Sequence, residues 1–234
     1  AVLTTVITGA AIAQTPSWGL ARAIASEHPE LGCVRVDLDP TRAADVVGSA
    51  RELFEEITAG GRLDDEDQIA WRDGIRYVPR LVRAAWPTGV LPASNASGHV
   101  TISGEVTYLI TGGLGALGLH VARWLVDQGA RHLVLVGRRG LDGASEALRE
   151  AVSGLERAGA RVRVMPADVS RFSEVARVLN EIESARPSLR GIIHAAGVLN
   201  DAVLANQTWE QFEDVMAPKV LGAWNLHLLT RHRP

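Results

Sequence analysis

The sequence predicts an α/β fold, and three observations carry that reading. Short apolar runs rich in Val, Ile and Leu alternate with longer stretches whose apolar residues recur every three or four positions, the pattern of parallel strands joined by helices. One such run, Val106, Tyr108, Leu109 and Ile110, passes through Thr111 and Gly112 into a G-x-G-x-x-G on Gly113, Gly115 and Gly118, and a helical pattern follows at once. Upstream, a strand–helix–strand pattern has the same order of elements without those glycines. Together they describe two Rossmann-like subdomains. The first, residues 1–98, is degenerate; the second, residues 99–234, is a parallel, doubly wound sheet that lacks its last strands.

In the first half, residues 2–8 read as a strand, and Gly9 to Gln14 as the turn after it. A helix is expected around Trp18 to Ser26 and a strand from Cys33 to Leu38. Without fingerprint glycines the turn cannot bring backbone close to a pyrophosphate, so this half is expected to brace and not to bind nucleotide. Asp37 and Asp39 stand where a ribose-binding acid would stand, but read as solvated carboxylates at a strand end. Ile69 to Trp71 and Ile75 to Val78 flank Arg72-Asp73-Gly74, a hairpin signal. Residues 87–98, with Pro87, Gly89, Pro92 and Gly98, form a turn-rich connector.

In the second half, the strand at 106–111 leads into a helix carrying Leu117, Val121, Trp124 and Leu125, stopped by Gly129. Residues 131–136 form the next strand. Ser145 can cap a helix with Leu148, Val152 and Leu155 on one face, ending near Gly159. Val162 and Val164 mark a third strand, with Asp168 and Val169 just beyond it. A helix with Val175, Val178, Leu179 and Ile182 precedes a fourth strand, Gly191 to His194, which runs into Ala195, Ala196 and Gly197. Thr208 and Gln211 fit a capping box, and Pro218 interrupts or restarts the helix that follows.

Strand, glycine turn and helix in that order are the setting of a dinucleotide fingerprint: a tight turn, close approach of backbone to pyrophosphate, and helix–strand packing. The helix start offers unpaired N–H groups and a partial positive charge to phosphates. The residues past the second strand bear on which nucleotide. An acid there suits the ribose 2′-hydroxyl of NAD; Arg138 and Arg139 suit a 2′-phosphate, which guanidinium can bond bidentately. NADPH is the expected cofactor.

Composition sets the outer bounds. A chain of 234 residues, 47% of them hydrophobic, holds one large domain or two subdomains with a substantial core. A net charge of −3 gives no case for nucleic-acid binding. The single cysteine, Cys33, excludes an internal disulfide, fits a reducing cytoplasm and reads as core. One cysteine and seven histidines show no metal-ligand spacing, and no apolar run is long enough for a membrane span. The start has neither a basic segment nor Met, so a signal peptide is not expected, and excision from a longer polypeptide is.

T-G-G-L-G-A-L-G, G-R-R-G, A-D-V-S, H-A-A-G-V and P-K-V-L-G-A-W-N-L together resemble the ketoreductase domain of modular polyketide synthases, a branch of the short-chain dehydrogenase/reductase superfamily. P-S-W-G-L-A-R-A-I-A-S-E-H-P-E-L and D-E-D-Q-I-A-W-R-D-G-I-R-Y-V-P-R-L resemble the structural subdomain that precedes it. The resemblance implies NADPH-dependent reduction of a β-ketoacyl thioester, carried by an acyl carrier protein, to the β-hydroxyacyl thioester, with the other domains of a synthase as partners. It implies a cofactor cradle of Thr111, Gly112, Gly113, Leu114, Gly115, Leu117 and Gly118, with Arg138, Arg139, Asp168, Val169, Ala195, Ala196 and Gly197. Lys219 matches the family's catalytic lysine, which orients the nicotinamide ribose and lowers the pKa of a proton-donating Tyr. Asp201 matches the last position of the Leu-Asp-Asp found in ketoreductases that form the D-hydroxyl, while Asn200 departs from the middle one. The family's Ser, Tyr and Asn are not among these residues; Tyr77 and Tyr108 lie in other elements. Two further readings compete: a non-catalytic scaffold domain, which the glycines, arginines and Lys219 disfavour, and a free-standing reductase, which the bracing half disfavours.

Overall fold

The computed structural model describes residues 9–42, 44–58, 66–83, 101–185 and 187–232. The strand expected at 2–8, the connector expected at 87–98 and the division expected after residue 98 lie outside them. The chain forms two compact units, residues 1–90 with 203–206, and residues 91–202 with 207–234.

The first unit holds α1 (Gly9–Glu27), a 3₁₀ turn (Pro29–Leu31), β1 (Arg35–Asp37), α2 (Val46–Thr58), β2 (Gln68–Arg72) and β3 (Ile75–Tyr77). β1 runs parallel to β2, and β2 antiparallel to β3. Residues 9–14 form no turn; they are the start of α1, where an alanine-rich stretch has strong helix propensity. The hairpin is as expected: Asp73 (φ 50°) and Gly74 (φ 73°) both take the left-handed conformation that a two-residue type I′ turn requires. Cys33 is half-buried rather than core. Residues 203–206 join this unit, with the Leu204 N–H donating to Glu27 at 2.7 Å.

Two carboxylate expectations are corrected. Asp39 is not solvated: it is 6% exposed and accepts bonds from the Asp73 N–H (2.9 Å), the Thr41 N–H (2.9 Å) and the Thr41 hydroxyl (2.7 Å). Asp37 pairs with Arg72. α2, unforeseen in the sequence, buries its carboxylates. Glu52 pairs with Arg42 at 2.7 Å and Glu56 with Arg76 at 2.8 Å, while Val46, Val47, Phe54 and Ile57 are exposed. Buried carboxylates stand only when paired, and these are.

The second unit holds β4 (Thr107–Thr111), α3 (Ala116–Asp127), β5 (His132–Gly137), α4 (Glu146–Arg157), β6 (Arg161–Pro166), α5 (Phe172–Ser184), β7 (Leu189–His194), α6 (Trp209–Met216) and α7 (Ala223–Thr230). Its sheet is parallel in the order β6-β5-β4-β7. Alternate residues of the central strands feed two cores. Tyr108, Ile110, Leu133 and Leu135 pack with Ala122, Leu125, Val152 and Leu155 of α3 and α4. Leu109, Val134, Val136 and Met165 pack with Val175, Val178, Leu179, Ile182 and Leu226 of α5 and α7. A strand covered on both faces reads as an unbroken apolar run, which is why β4 and β5 were legible. The phase of α3 differs from expectation: Ala122, Leu125 and Val126 face inward, whereas Leu117 and Trp124 are 66% and 54% exposed. Ser145 and Thr208 cap α4 and α6 as expected, the latter in a full capping box. No helix among the described residues is long and apolar enough to cross a membrane.

The Asp73 N–H, the Thr41 hydroxyl and the Thr41 N–H together pull the Asp39 carboxyl down to about 2. Its contribution to stability is therefore present above the ordinary carboxylate value of about 3.9 and is lost as pH falls through about 2. A carboxyl carbon NMR titration should find Asp39 still ionised at pH values where the exposed acids have protonated; titration at an ordinary value would contradict the three-donor arrangement.

Candidate functional site

The chain builds the second sheet outward from β4 through β5 to β6, then returns to the other side of β4 with β7. That reversal makes the carboxyl ends of β4 and β7 a topological switch point, the position at which doubly wound sheets bind ligands. Thr111 and His194, the last residues of the two strands, are in register, and the Ala195 N–H donates to the Thr111 carbonyl at 3.0 Å.

The fingerprint glycines are needed here for space. Gly112 has φ +66°, and a Cβ on it would stand 2.5 Å from the Ala195 carbonyl oxygen. On Gly113 it would meet the Ile110 carbonyl at 2.8 Å, and on Gly118 it would collide with the Gly112 carbonyl. Turn, strand and helix thus pack backbone on backbone. Gly115 caps α3 in extended conformation with no side-chain bond to the helix, so no cap side chain takes up the first-turn amides. Leu114 is half-buried beside Gly137, and Leu117 is exposed.

Arg138 and Arg139 lie exposed in the turn after β5, and among the described residues neither guanidinium has a hydrogen bond or ion pair. Arg138 is near enough to Asp168 to influence it. Burial pushes the Asp168 carboxyl up, but the Ser170 hydroxyl and N–H, with Arg171 and Arg138, outweigh it and hold the group below its ordinary value. Val169 is in the core, and its carbonyl accepts from Asn225.

Lys219 lies exposed in a π turn, Ala217–Gly222, between α6 and α7. Pro218 has no N–H for the preceding helical turn, and i→i+5 turns mark such interruptions. The Lys219 Cε is 3.6 Å from where a Cβ on Gly197 would stand, so the β7 loop and the lysine come together. Two ties hold this arrangement, and the sequence reading named neither. His194 bonds the Thr111 hydroxyl through Nδ1 at 2.6 Å and the Pro218 carbonyl through Nε2 at 2.9 Å. Asn225, 8% exposed, donates from Nδ2 to the Val169 and Ser170 carbonyls, each at 3.0 Å. Their signal was a polar residue closing or interrupting an apolar run.

Asp201 is exposed and has no hydrogen bond among the described residues, whereas Asn200 accepts from Gln211 at 3.0 Å. Tyr108 is buried, its hydroxyl accepting from the Ser103 N–H at 2.9 Å. A concavity of about 800 Å³ lined by Arg163, Phe172 and Arg177 includes no residue of the glycine turn, of the loop 195–197 or of the π turn. Among the described residues no His, Cys, Asp and Glu stand grouped to hold a metal ion.

The packing separates the glycines by their effect. Gly118→Ala should destabilise the second unit by about 1–3 kcal/mol, the range for forcing atoms into a filled site. Gly197→Ala, whose nearest neighbour is the flexible end of Lys219, should stay within ~0.5 kcal/mol of the parent. Urea unfolding checks both, and equal effects would contradict the backbone-on-backbone account.

Residues 106–234 match the KR domain, and residues 1–81 match the Rossmann fold domain of the polyketide synthase extender module SpnB. The chain is 39% identical over 230 residues to a 6-methylsalicylic acid synthase of Arthrobotrys oligospora, covering 93% of this chain and 12% of that protein. It is 38% identical over 236 residues to 5-methyl-1-naphthoate synthase of Streptomyces sahachiroi, covering 95% and 12%. It therefore spans about an eighth of these relatives, 12% of each. Among solved structures, an A-type ketoreductase of a modular polyketide synthase matches with a TM-score of 0.75 at 36% identity, over 93% of this chain and 43% of that one. The first ketoreductase of the tylosin synthase matches with a TM-score of 0.70 at 34% identity, over 92% and 42%. With residues 106–234, more than half its length, matching this family, the chain belongs to the KR domain family, the ketoreductase domains of polyketide synthases.

Proposed function

We propose that the chain contributes the nucleotide platform and the lysine of an NADPH-dependent ketoreductase, which converts a β-ketoacyl thioester on an acyl carrier protein to the β-hydroxyacyl thioester during polyketide chain building. The observation that carries this reading is the glycine turn at the switch point with Lys219 brought beside Gly197. The residues fit the cofactor: a turn whose Gly112, Gly113 and Gly118 pack too closely for any side chain and so present bare backbone, a helix start with no side-chain cap, and two exposed guanidiniums beyond β5 with no hydrogen bond or ion pair among the described residues.

When bound, NADPH supplies the hydride that the ketone carbon accepts. The α3 amides and Gly113 to Gly118 hold the pyrophosphate. Arg138 and Arg139 bond the 2′-phosphate, and Asp168 and the Val169 N–H receive the adenine end. Ala195, Ala196 and Gly197 leave room for a ring beside the backbone, and Thr111 shapes the turn beneath it. Lys219 holds the nicotinamide ribose and, as a cation, favours the anionic form of the proton donor, so that the proton passes more readily to the developing alkoxide. Asp201, exposed in the chain that follows β7, is assigned to the stereocontrol of the hydroxyl. The other domains of the synthase bring the carrier-bound substrate, and the single cysteine suits the cytoplasm.

Two outcomes test this in the full-length polypeptide. A charge-assisted bond contributes about 1.5–3 kcal/mol, roughly ten- to a hundredfold in affinity. NADPH should bind that much more tightly than NADH, and Arg138→Ala should remove most of the difference; titration calorimetry reads it, and equal affinities in the parent would contradict the 2′-phosphate assignment. Lys219→Ala should lower turnover of a β-ketoacyl thioester by about 10²–10⁴-fold, the scale of positioned acid–base catalysis. Unchanged turnover, followed by NADPH oxidation, would show that the lysine is misassigned.

A further inference from the structure

His194 ends β7 as a half-buried side chain with both ring nitrogens engaged. Its two bonds are not interchangeable. The Pro218 carbonyl can only accept, so His194 Nε2 carries a hydrogen and donates to it at 2.9 Å. In the neutral ring Nδ1 is then an acceptor, and its 2.6 Å partner, the Thr111 hydroxyl, must donate. In that neutral form the direction is set along the whole chain: Thr111 O–H to His194 Nδ1, and His194 Nε2–H to the carbonyl of Pro218.

The two ends of this relay matter. Thr111 is the residue before the glycine turn, 1% exposed, and its own carbonyl is tied to Ala195. Pro218 is the residue before Lys219, in the π turn, and with no N–H of its own it cannot bond the turn before it. Gly222, at the end of the same turn, is also pressed against the ring: a Cβ there would be 3.3 Å from His194 Cε1. The imidazole thus spans from the floor of the glycine turn to the backbone that carries Lys219.

We propose that His194 is the positioning residue for Lys219: as the neutral Nε2–H tautomer it fixes the Pro218 carbonyl, and through it the lysine, relative to the glycine turn. This rests on the proposed role of Lys219. A positioning residue differs from a merely structural one in that its effect passes through the group it positions. Misplacement of a reacting group by ~1 Å is enough to lower a rate by about 10²-fold.

The test uses the full-length polypeptide and two substitutions that divide the ring's functions. His194→Gln places an amide N–H where Nε2 donates; His194→Asn keeps a polar group near Nδ1 and is too short for Pro218. His194→Asn should lower kcat about 10–100-fold, with a loss of NADPH affinity no larger than that of Lys219→Ala, and His194→Gln should recover most of both. In a Lys219→Ala background the same Asn substitution should lower kcat no further, because neighbours acting through one group are not additive. Multiplying losses in the double variant, or Gln no better than Asn at retained NADPH affinity, would overturn the assignment while leaving the proposed function standing. Absence of any Lys219→Ala effect would overturn the function reading, and this inference with it. His194→Ala is not needed, so failure of that harsher variant to fold has no bearing.

Discussion

The second unit depends on one close approach: the backbone of Gly112 lies against the Ala195 carbonyl with no space for a Cβ between them. Everything at the carboxyl end of the sheet is referred to that contact. It brings the turn after β4 against the loop after β7; Gly113, against the Ile110 carbonyl and Leu135, and Gly118, against Gly112 and Gly113, must be bare for the same kind of reason within the turn itself. It also sets where Gly197 lies, and so which backbone Lys219 passes. A positive φ at Gly112 satisfies the turn geometry, and the absent side chain satisfies the packing; glycine alone does both.

Stability and orientation are supplied by different interactions. Leu109, Ile110 and Leu135, each fully buried, contribute about 1.5–3 kcal/mol apiece by leaving water. A neutral hydrogen bond contributes about 0.5–1.5 kcal/mol net. The bonds of His194 and Asn225 are therefore minor in holding the sheet together beside two cores on its faces. Their value is direction. Asn225 holds α7 to the loop after β6, and His194 holds the π turn to the end of β4. The cores fix that the helices lie on the sheet; the polar ties fix how the segment around Lys219 is turned.

The parts of the fold legible in the sequence were those where one physical cause dominates. The two-sided strands β4 and β5, the Asp-Gly hairpin turn, the Ser145 and Thr208 caps and the inward face of α5 each follow from local pattern. The failures occurred where tertiary partners decide. The phase of α3 was misread because Leu117 and Trp124 are apolar and yet exposed, while the small Ala122 is inside. Asp39 looked like a strand-end solvated acid because its donors, Asp73 and Thr41, come from the hairpin and the following turn. α2 was not foreseen because its buried residues are Glu52 and Glu56, whose partners Arg42 and Arg76 lie outside the helix. For the site, glycine spacing located the turn and the resemblance located Lys219. The link between them through His194 joins positions 83 and 24 residues away in sequence, which no local pattern reports.

The second unit's glycine turn, and not the start of α1, is the proposed place where nucleotide meets this chain. Hydrogen–deuterium exchange on the full-length polypeptide, with and without NADPH, measures this directly. Slowed exchange should appear at residues 112–118 and 137–140 and at the loop 195–197, with residues 9–14 unchanged. Protection of residues 9–14 on adding NADPH, with none at 112–118, would contradict the account.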